Sequence, residues 1–409
     1  MTKFILSDQK YIHAGWLIDG SGGKIQNNIL LTIVNGTIAE IESIDNTAAP
    51  YPALVKDLST CTLLPPLVDT HVHLSLSSSV DNDFRKKQLS ADYRHIESQV
   101  TQNIHYHFTH GILAVRDAGD RKGHILRYRN KHSGRTHGAP ILQAAGKGWH
   151  KKGRYGSMFG THPGENQTLA ESVARETDQG DFIKVMNSGP NSLTEFGKET
   201  LPQFDLDELQ NTVLLAERRG KKVMVHANGK LPVRIALEAG CHSIEHGFFV
   251  GRDNLQRLAD TRTVWVPTAY ARKTCSEKIN KEDIRVEKGI AEKTYLHQLE
   301  QIALARELGV VIALGTDAGS RGVHHGESIV EEMKLLIKAG YSLPEAIRCA
   351  SATGAQLLGL EREMGIIAVR RPANFLVARG TPAELSRKLS HLHAIYLRGA
   401  PANNDFYNM

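Results

Sequence analysis

Leu63-Leu64-Pro65-Pro66-Leu67-Val68-Asp69-Thr70-His71-Val72-His73-Leu74 is the stretch on which the fold turns. An apolar opening and a Pro-Pro break run into a strand that ends in His-x-His. Successive strand side chains point to opposite faces, so His71 and His73 share a face and Val72 takes the other. At strand rise the two imidazoles stand about 7 Å apart, which suits chelation of one cation. Taken alone, the pair serves equally well as two strand-end histidines bonded to backbone. It gains meaning only if other strand ends supply further ligands.

Downstream of this stretch the chain alternates strand and helix. Apolar strand candidates are Ile112–Arg116, Ile141–Ala145, Phe182–Met186, Lys222–His226, Ser243–Glu245, Val264–Pro267 and Val310–Leu314. Helix-periodic segments such as Ile96–His110, Leu206–Arg219, Tyr295–Leu308 and Ile329–Ala339 separate many of them. With the strand from Leu63 this makes eight, which predicts an α/β fold, a (β/α)8 TIM barrel over residues 63–364. Upstream, Tyr11–Asp19 reads as a strand. Ile29–Val34, Asn35-Gly36 and Thr37–Ile41 read as a hairpin, because Asn-Gly suits a two-residue turn. Gly365–Ile367, Ala373–Ala378 and His393–Arg398 read as strands at the other end. The N-terminal segment is too small to hold a core alone. Both ends, 1–62 and 365–409, are therefore expected to build one small β-sandwich domain.

Composition narrows the function classes. A 41% hydrophobic fraction over 409 residues supports a sizeable core. No apolar run approaches the ~18 residues of a membrane span, and Met1–Lys10 lacks the apolar region of a signal peptide. The four cysteines, Cys61, Cys241, Cys275 and Cys349, are scattered with no Cys-x-x-Cys, which points to a reduced, cytoplasmic setting. The net charge of +6 is dispersed, with no continuous basic face carrying interleaved aromatics. The expected partner is a small molecule rather than nucleic acid or membrane; a homo-oligomer is left open. Twenty histidines, several at strand ends, are the compositional pointer to a metal.

Chemistry in such a barrel sits at the C-terminal strand ends. There the sequence places His71 and His73 on the first strand and Lys184 on the fourth. His226 ends the fifth, His246 the sixth, and Asp317 follows the eighth. Each has a bland reading: a snorkelling lysine, satisfied core histidines, a helix-capping aspartate. Five such accidents together are improbable. A buried lysine among metal ligands is costly as a cation. Carbamylation by CO2 would make it anionic with two oxygens, enough to bridge two ions. Four imidazoles, one carbamate and one carboxylate then describe a site for two divalent metals. Zinc is the first expectation, with manganese, cobalt or iron as alternatives.

These residues resemble the ligand set of the amidohydrolase superfamily. Phe182–Met186, Val225–Gly229, Ser243–Gly247 and Gly315–Gly319 are similar to its imidazolonepropionase-like and prolidase-like branch. Lys184 favours the binuclear prolidase-like members. The resemblance implies that His71, His73, carbamylated Lys184 and Asp317 hold one metal, and Lys184, His226 and His246 the other. It implies a bridging hydroxide, with Asp317 as the general acid and base. The expected reaction is cleavage of an amide-type C–N bond in a dipeptide or N-acyl amino acid. Alternatives are a cyclic amide, urea or carbamate hydrolase, a mononuclear deaminase, or a metal-free scaffold.

Three departures fall where substrate is read. Asn228 stands where prolidase-like members commonly have a second histidine. Asn187-Ser188-Gly189-Pro190 replaces Ala-Thr-Gly-Gly, and the loop Gly146–His162 is long and basic. His150 and Tyr155 are candidate oxyanion donors. His325, Asn228 and Arg154 are candidate substrate contacts, with Lys147 and Lys151 behind Arg154 as grips for a carboxylate.

Overall fold

The computed structural model describes residues 8–44, 55–133, 139–177, 180–278 and 288–402. The outer ends of the expected composite domain, 1–7 and 403–409, lie outside the described residues, as does 45–54.

Strands β1 (Gln9–Leu17), β2 (Gln26–Val34), β3 (Thr37–Ser43) and β4 (Val55–Leu64) open the chain. The Asn35-Gly36 turn joins β2 to β3 with φ of 51° and 76°, the left-handed pair that matches strand twist. The parallel strands follow: β5 (Leu67–Val72), β6 (Ile112–Asp117), β7 (Ile141–Ala144), β8 (Gly148–Trp149), β9 (Gly160–Thr161), β10 (Ile183–Met186), β11 (Val223–Ala227), β12 (Ser243–His246) and β13 (Val264–Val266). The chain closes with β14 (Phe375–Arg379), β15 (Ala394–Leu397) and β16 (Ala400–Pro401).

The terminal strands form one hydrogen-bonded sheet in the order β16-β15-β14-β4-β1-β2-β3. Within it β4 runs parallel to β1 and antiparallel to β14, so strands from both ends of the chain meet on β4. All seven strands share one hydrogen-bonded sheet, and this pairing does not by itself define the two facing layers of the expected sandwich. Side chains of its own strands, among them Leu31, Leu63 and Phe375, form an apolar cluster of their own. The predicted strand Gly365–Ile367 is not formed; Ile367 N–H donates to the Asp19 carbonyl at 2.9 Å.

The decisive stretch is a crossing point. Leu63 and Leu64 end β4 in the terminal sheet, Pro65-Pro66 breaks the ladder, and β5 begins the parallel layer at Leu67. Proline has no N–H to donate and so ends one sheet before the other starts. The parallel strands fall into two sheets, β5-β6-β7 and β13-β12-β11-β10-β8-β9, with helices packed between successive strands. The expected eighth strand, Val310–Leu314, forms no ladder. Its backbone bonds go to four neighbours: Val310 N–H to Ala305 O (2.9 Å), Trp265 N–H to Val311 O (2.9 Å) with Ala313 N–H to Trp265 O (3.1 Å), Thr70 N–H to Leu314 O (3.0 Å) and Leu314 N–H to Cys349 O (3.0 Å). Two isolated parallel bridges, Val72–Ala318 and Trp265–Ile312, join this segment to both sheets. Asp181 N–H reaches Ala144 O at 2.8 Å on the other side. All six residues of β5 are buried, as near-continuous apolar parallel strands require.

Candidate active site

Strand ends bring the predicted ligands to one place. On β5, Asp69 accepts the Thr316 N–H (3.0 Å) and the Thr316 hydroxyl (2.6 Å), which pins β5 to the segment carrying Asp317. Asp317 follows with φ 60°, and Gly319 with φ 96°. A Cβ on Gly319 would stand 2.4 Å from the His73 carbonyl, so only glycine lets this turn approach β5. His246 has φ 68°, well outside the strand region, at the end of β12. Strict alternation therefore no longer governs its side chain, and both Glu245 and His246 serve the site. Backbone in this region is costly for a non-glycine residue and concentrates at functional sites.

His71 and His73 Nε2 lie 3.6 and 3.4 Å from Asp317 Oδ1, and the three ligand atoms lie within 4.8 Å of one another. His246 joins the group with its ring centre 4.9 Å from that of His71 and 4.6 Å from that of His226. The other ring nitrogens are spoken for. His71 Nδ1 sits 2.7 Å from Glu245 Oε2, His73 Nδ1 3.3 Å from Gly119 O, and His226 Nε2 3.1 Å from Gly189 O. A carboxylate or carbonyl only accepts, so His71 Nδ1 and His73 Nδ1 carry the proton and their Nε2 atoms keep a lone pair. His246 Nδ1 pairs with Thr268 Oγ1 at 2.7 Å. Burial, with the Lys184 charge second, pushes His73 and His226 down to about 3. Burial also drives His71 and His246 well below their usual range. All four imidazoles are neutral, as metal ligation demands.

Lys184, on β10, is 3% exposed and its Nζ has no hydrogen-bond partner among the described residues. Burial lowers its pKa to about 8. An orphaned buried amine beside four buried imidazoles and a carboxylate is a donor set that fits divalent metal, with Lys184 needing a change of charge to join it. Burial raises Asp317 to about 6.

A cavity of about 450 Å³ opens over this group, lined by His71, His73, Lys184, His226, His246 and Asp317, and by Tyr155 and Asn228. A larger cleft of about 570 Å³ near Arg379 and His391 shows no such convergence, so volume alone does not locate the chemistry. The Tyr155 ring lies 5.2 Å from that of His226, and burial raises its pKa, keeping the hydroxyl a donor. Asn228 is part of the wall: its Nδ2 is 3.2 Å from His226 Nε2, and its N–H donates to Ser188 Oγ (2.9 Å).

Three predicted residues stand elsewhere. His150 is buried with Nδ1 at 2.9 Å from the Lys151 carbonyl and does not line the cavity. Arg154 is exposed and donates to the Leu201 carbonyl at 3.0 Å, outside the lining. His325 is buried behind the wall, its Nε2 2.8 Å from the Leu76 carbonyl and its Nδ1 3.2 Å from His107 Nε2. Lys147 and Lys151 pair with Glu176 (3.5 Å) and Glu208 (3.2 Å).

Sequence reasoning missed Glu245, which takes Arg116 Nη2 (3.0 Å) and the Ser243 hydroxyl (2.6 Å) while it holds His71. It also missed the cationic wall of Arg85, Arg272 and Arg321.

The family model described as "Amidohydrolase family" matches residues 62–403, and the chain belongs to that family. It is a hydrolase of carbon–nitrogen bonds. Ochratoxinase of Aspergillus niger is 24% identical over 377 residues, covering 85% of this chain and 76% of that protein. Imidazolonepropionase of a Polaromonas species is 23% identical over 405 residues, covering 89% and 85%. A Xaa-Pro dipeptidase structure with bound methionine superposes with a TM-score of 0.80 at 26% identity, covering 97% and 100%. Among the described residues no helix is long and apolar enough to cross a membrane.

Proposed function

We propose that the chain is a binuclear metal-dependent amidohydrolase acting on an amide-type C–N bond of a small molecule, a dipeptide or N-acyl amino acid. One observation carries it: four buried imidazoles, the Asp317 carboxylate and the orphaned Lys184 amine line one cavity. His71, His73 and Asp317 would hold one ion and His226 and His246 the other, with zinc the first choice from this donor set. Lys184 would join both through a carbamate. With a pKa near 8, a share of its amine is neutral at neutral pH. The neutral nitrogen adds to CO2, forms the N–C bond and releases one proton.

A bound divalent ion supplies a lowered pKa for water and a polarised carbonyl. The chain supplies the rest. Asp317, raised toward neutrality by burial, takes the proton lost by the attacking water and passes it to the departing nitrogen. The Tyr155 hydroxyl, held protonated, donates to the carbonyl oxygen as negative charge develops there. This reading includes an eight-stranded barrel over 63–364, with the segment after residue 310 as its eighth stave, and a terminal β domain from 1–62 and 365–409. It also includes a cytoplasmic location and His150 and His325 acting only through the wall.

Zinc- or manganese-reconstituted protein, assayed against dipeptides, N-acyl amino acids, ureas, carbamates and cyclic amides, tests the proposal. Hydrolysis of an N-acyl amino acid or dipeptide that is lost in Asp317→Asn is the expected result. No turnover of any amide by fully metallated protein would overturn it. The tight group of His71, His73 and Asp317 favours one alternative, a single working metal. Full activity at one ion per chain would select it.

A further inference from the structure

Building on the amidohydrolase reading, we propose that Arg272 grips a carboxylate of the substrate. It stands on the helix Ala269–Lys278, which forms one wall of the cavity.

The other cations of the wall are already engaged. Arg85 Nη1 donates to the carbonyls of Ser77 (3.0 Å), Ser79 (3.3 Å) and Gly319 (2.9 Å). Arg321 donates to the Val80 carbonyl (3.2 Å) and to Asn82 Oδ1. Lys86 pairs with Asp83 at 3.2 Å. Arg272 differs. Its one hydrogen-bond contact among the described residues is Cys275 Sγ, 3.9 Å from Nη1, and sulfur is a weak acceptor. Its Nε is shielded from solvent with no partner, and no described carboxylate lies within ion-pair distance. The residue is half-buried on the cavity wall; a guanidinium nitrogen shielded from water without a partner is costly, and a substrate carboxylate is the counter-ion that would offset that cost.

The group is also held ready. The guanidinium carbon lies 4.7 Å from the centre of the Phe248 ring, whose plane stacks at 15° and 6.1 Å on His246. An aromatic face fixes the plane of a guanidinium and leaves its edge for a two-point grip. Glu332 accepts the Ala269 and Tyr270 N–H groups at 2.8 and 2.7 Å, which anchors the start of the helix one turn from Arg272. The anion is thus separated from the histidine cluster by one ring. That span suits a small amide with a carboxylate close to the scissile bond, an N-acyl amino acid above all.

The test uses two matched pairs on the metal-loaded protein. Acetate release from N-acetyl-L-leucine and N-acetyl-L-leucinamide gives kcat/KM, and calorimetric titration of L-leucine and L-leucinol gives dissociation constants without turnover. Wild type should prefer the carboxylate member of each pair. Arg272→Met should weaken both carboxylates about 10- to 100-fold, the range for hydrogen bonds to a charged group, and leave the neutral members within about twofold. Arg272→Lys should keep part of the preference, and Arg154→Ala all of it. Absence of hydrolysis of both N-acetyl compounds counts against the amidohydrolase substrate reading. The leucine and leucinol titrations then still decide Arg272. A wild-type preference for leucinol overturns the inference. So do equal losses on both members in Arg272→Met and Arg272→Lys proteins of unchanged melting temperature.

Discussion

Glu245 holds His71 at 2.7 Å while it takes Arg116 and Ser243 on its other oxygen. Partners of this kind fix the tautomer and direction of a ligating imidazole, and removing them typically costs about 10–100-fold in metal affinity. Glu245→Gln should therefore lose metal on dialysis against a competing chelator at concentrations that wild type withstands, with its melting temperature little changed when resaturated. Equal retention by both proteins would assign Glu245 to packing alone. Lys184→Ala should lose metal and activity, and short-chain carboxylic acids should restore part of both by supplying the missing oxygens. Metal content measured with and without formate or acetate checks this. Asp317→Asn, resaturated with metal, should fold and lose about 10²–10⁴-fold in kcat, the usual share of general acid–base transfer. At this scale the candidate ligands were legible because each stands in or at the end of an apolar run, His71 and His73 sharing one. Glu245 and Arg272 were not. The first meets His71 across 174 positions of chain, and the second is defined by partners it lacks.

Among the elements, the helix Ala269–Lys278 shows how a distant carboxylate sets a wall. Glu332, on the helix Ser328–Lys338, is 1% exposed and raised by burial from 4.5 to about 8. The folded chain thus keeps a proton that the unfolded chain releases. The resulting stabilisation is complete below about pH 4.5 and is lost as pH rises through about 8. Glu332→Gln removes that titration. Its stability should fall less steeply than that of wild type across this window, by up to about 1.4 kcal/mol per pH unit. Denaturant midpoints at several pH values measure the slope, and parallel slopes would contradict it. Strand existence was legible from apolar runs with turn signals. Val310–Leu314 read as a strand for the same reason, yet its backbone bonds are divided among Ala305, Trp265, Thr70 and Cys349, and periodicity carries no trace of that division.

At the scale of the whole molecule, the proposed ligands would tie separate sheets together. His71 and His73 come from β5 and its end, in one parallel sheet, while Lys184, His226 and His246 come from the other. A ligand that binds only the folded state stabilises it by mass action, about 2.7 kcal/mol at a hundredfold excess over its dissociation constant. Stripping with a chelator should therefore lower the melting temperature, and returning zinc should restore it. An unchanged melting temperature in a protein of proven metal content would contradict the bridging arrangement. The parallel layer was legible from strand–helix alternation. The single terminal sheet was not, because pairing between residues more than 300 positions apart leaves no local pattern. That sheet also sets a timetable for synthesis. β4 pairs with β14 only after residue 379 has left the ribosome, so every nascent intermediate carries β4 with one side unpaired. An unpaired apolar strand edge invites pairing with another chain. A ribosome stalled short of β14 would thus hold a chain with its ligand residues already made and its most adhesive surface uncovered.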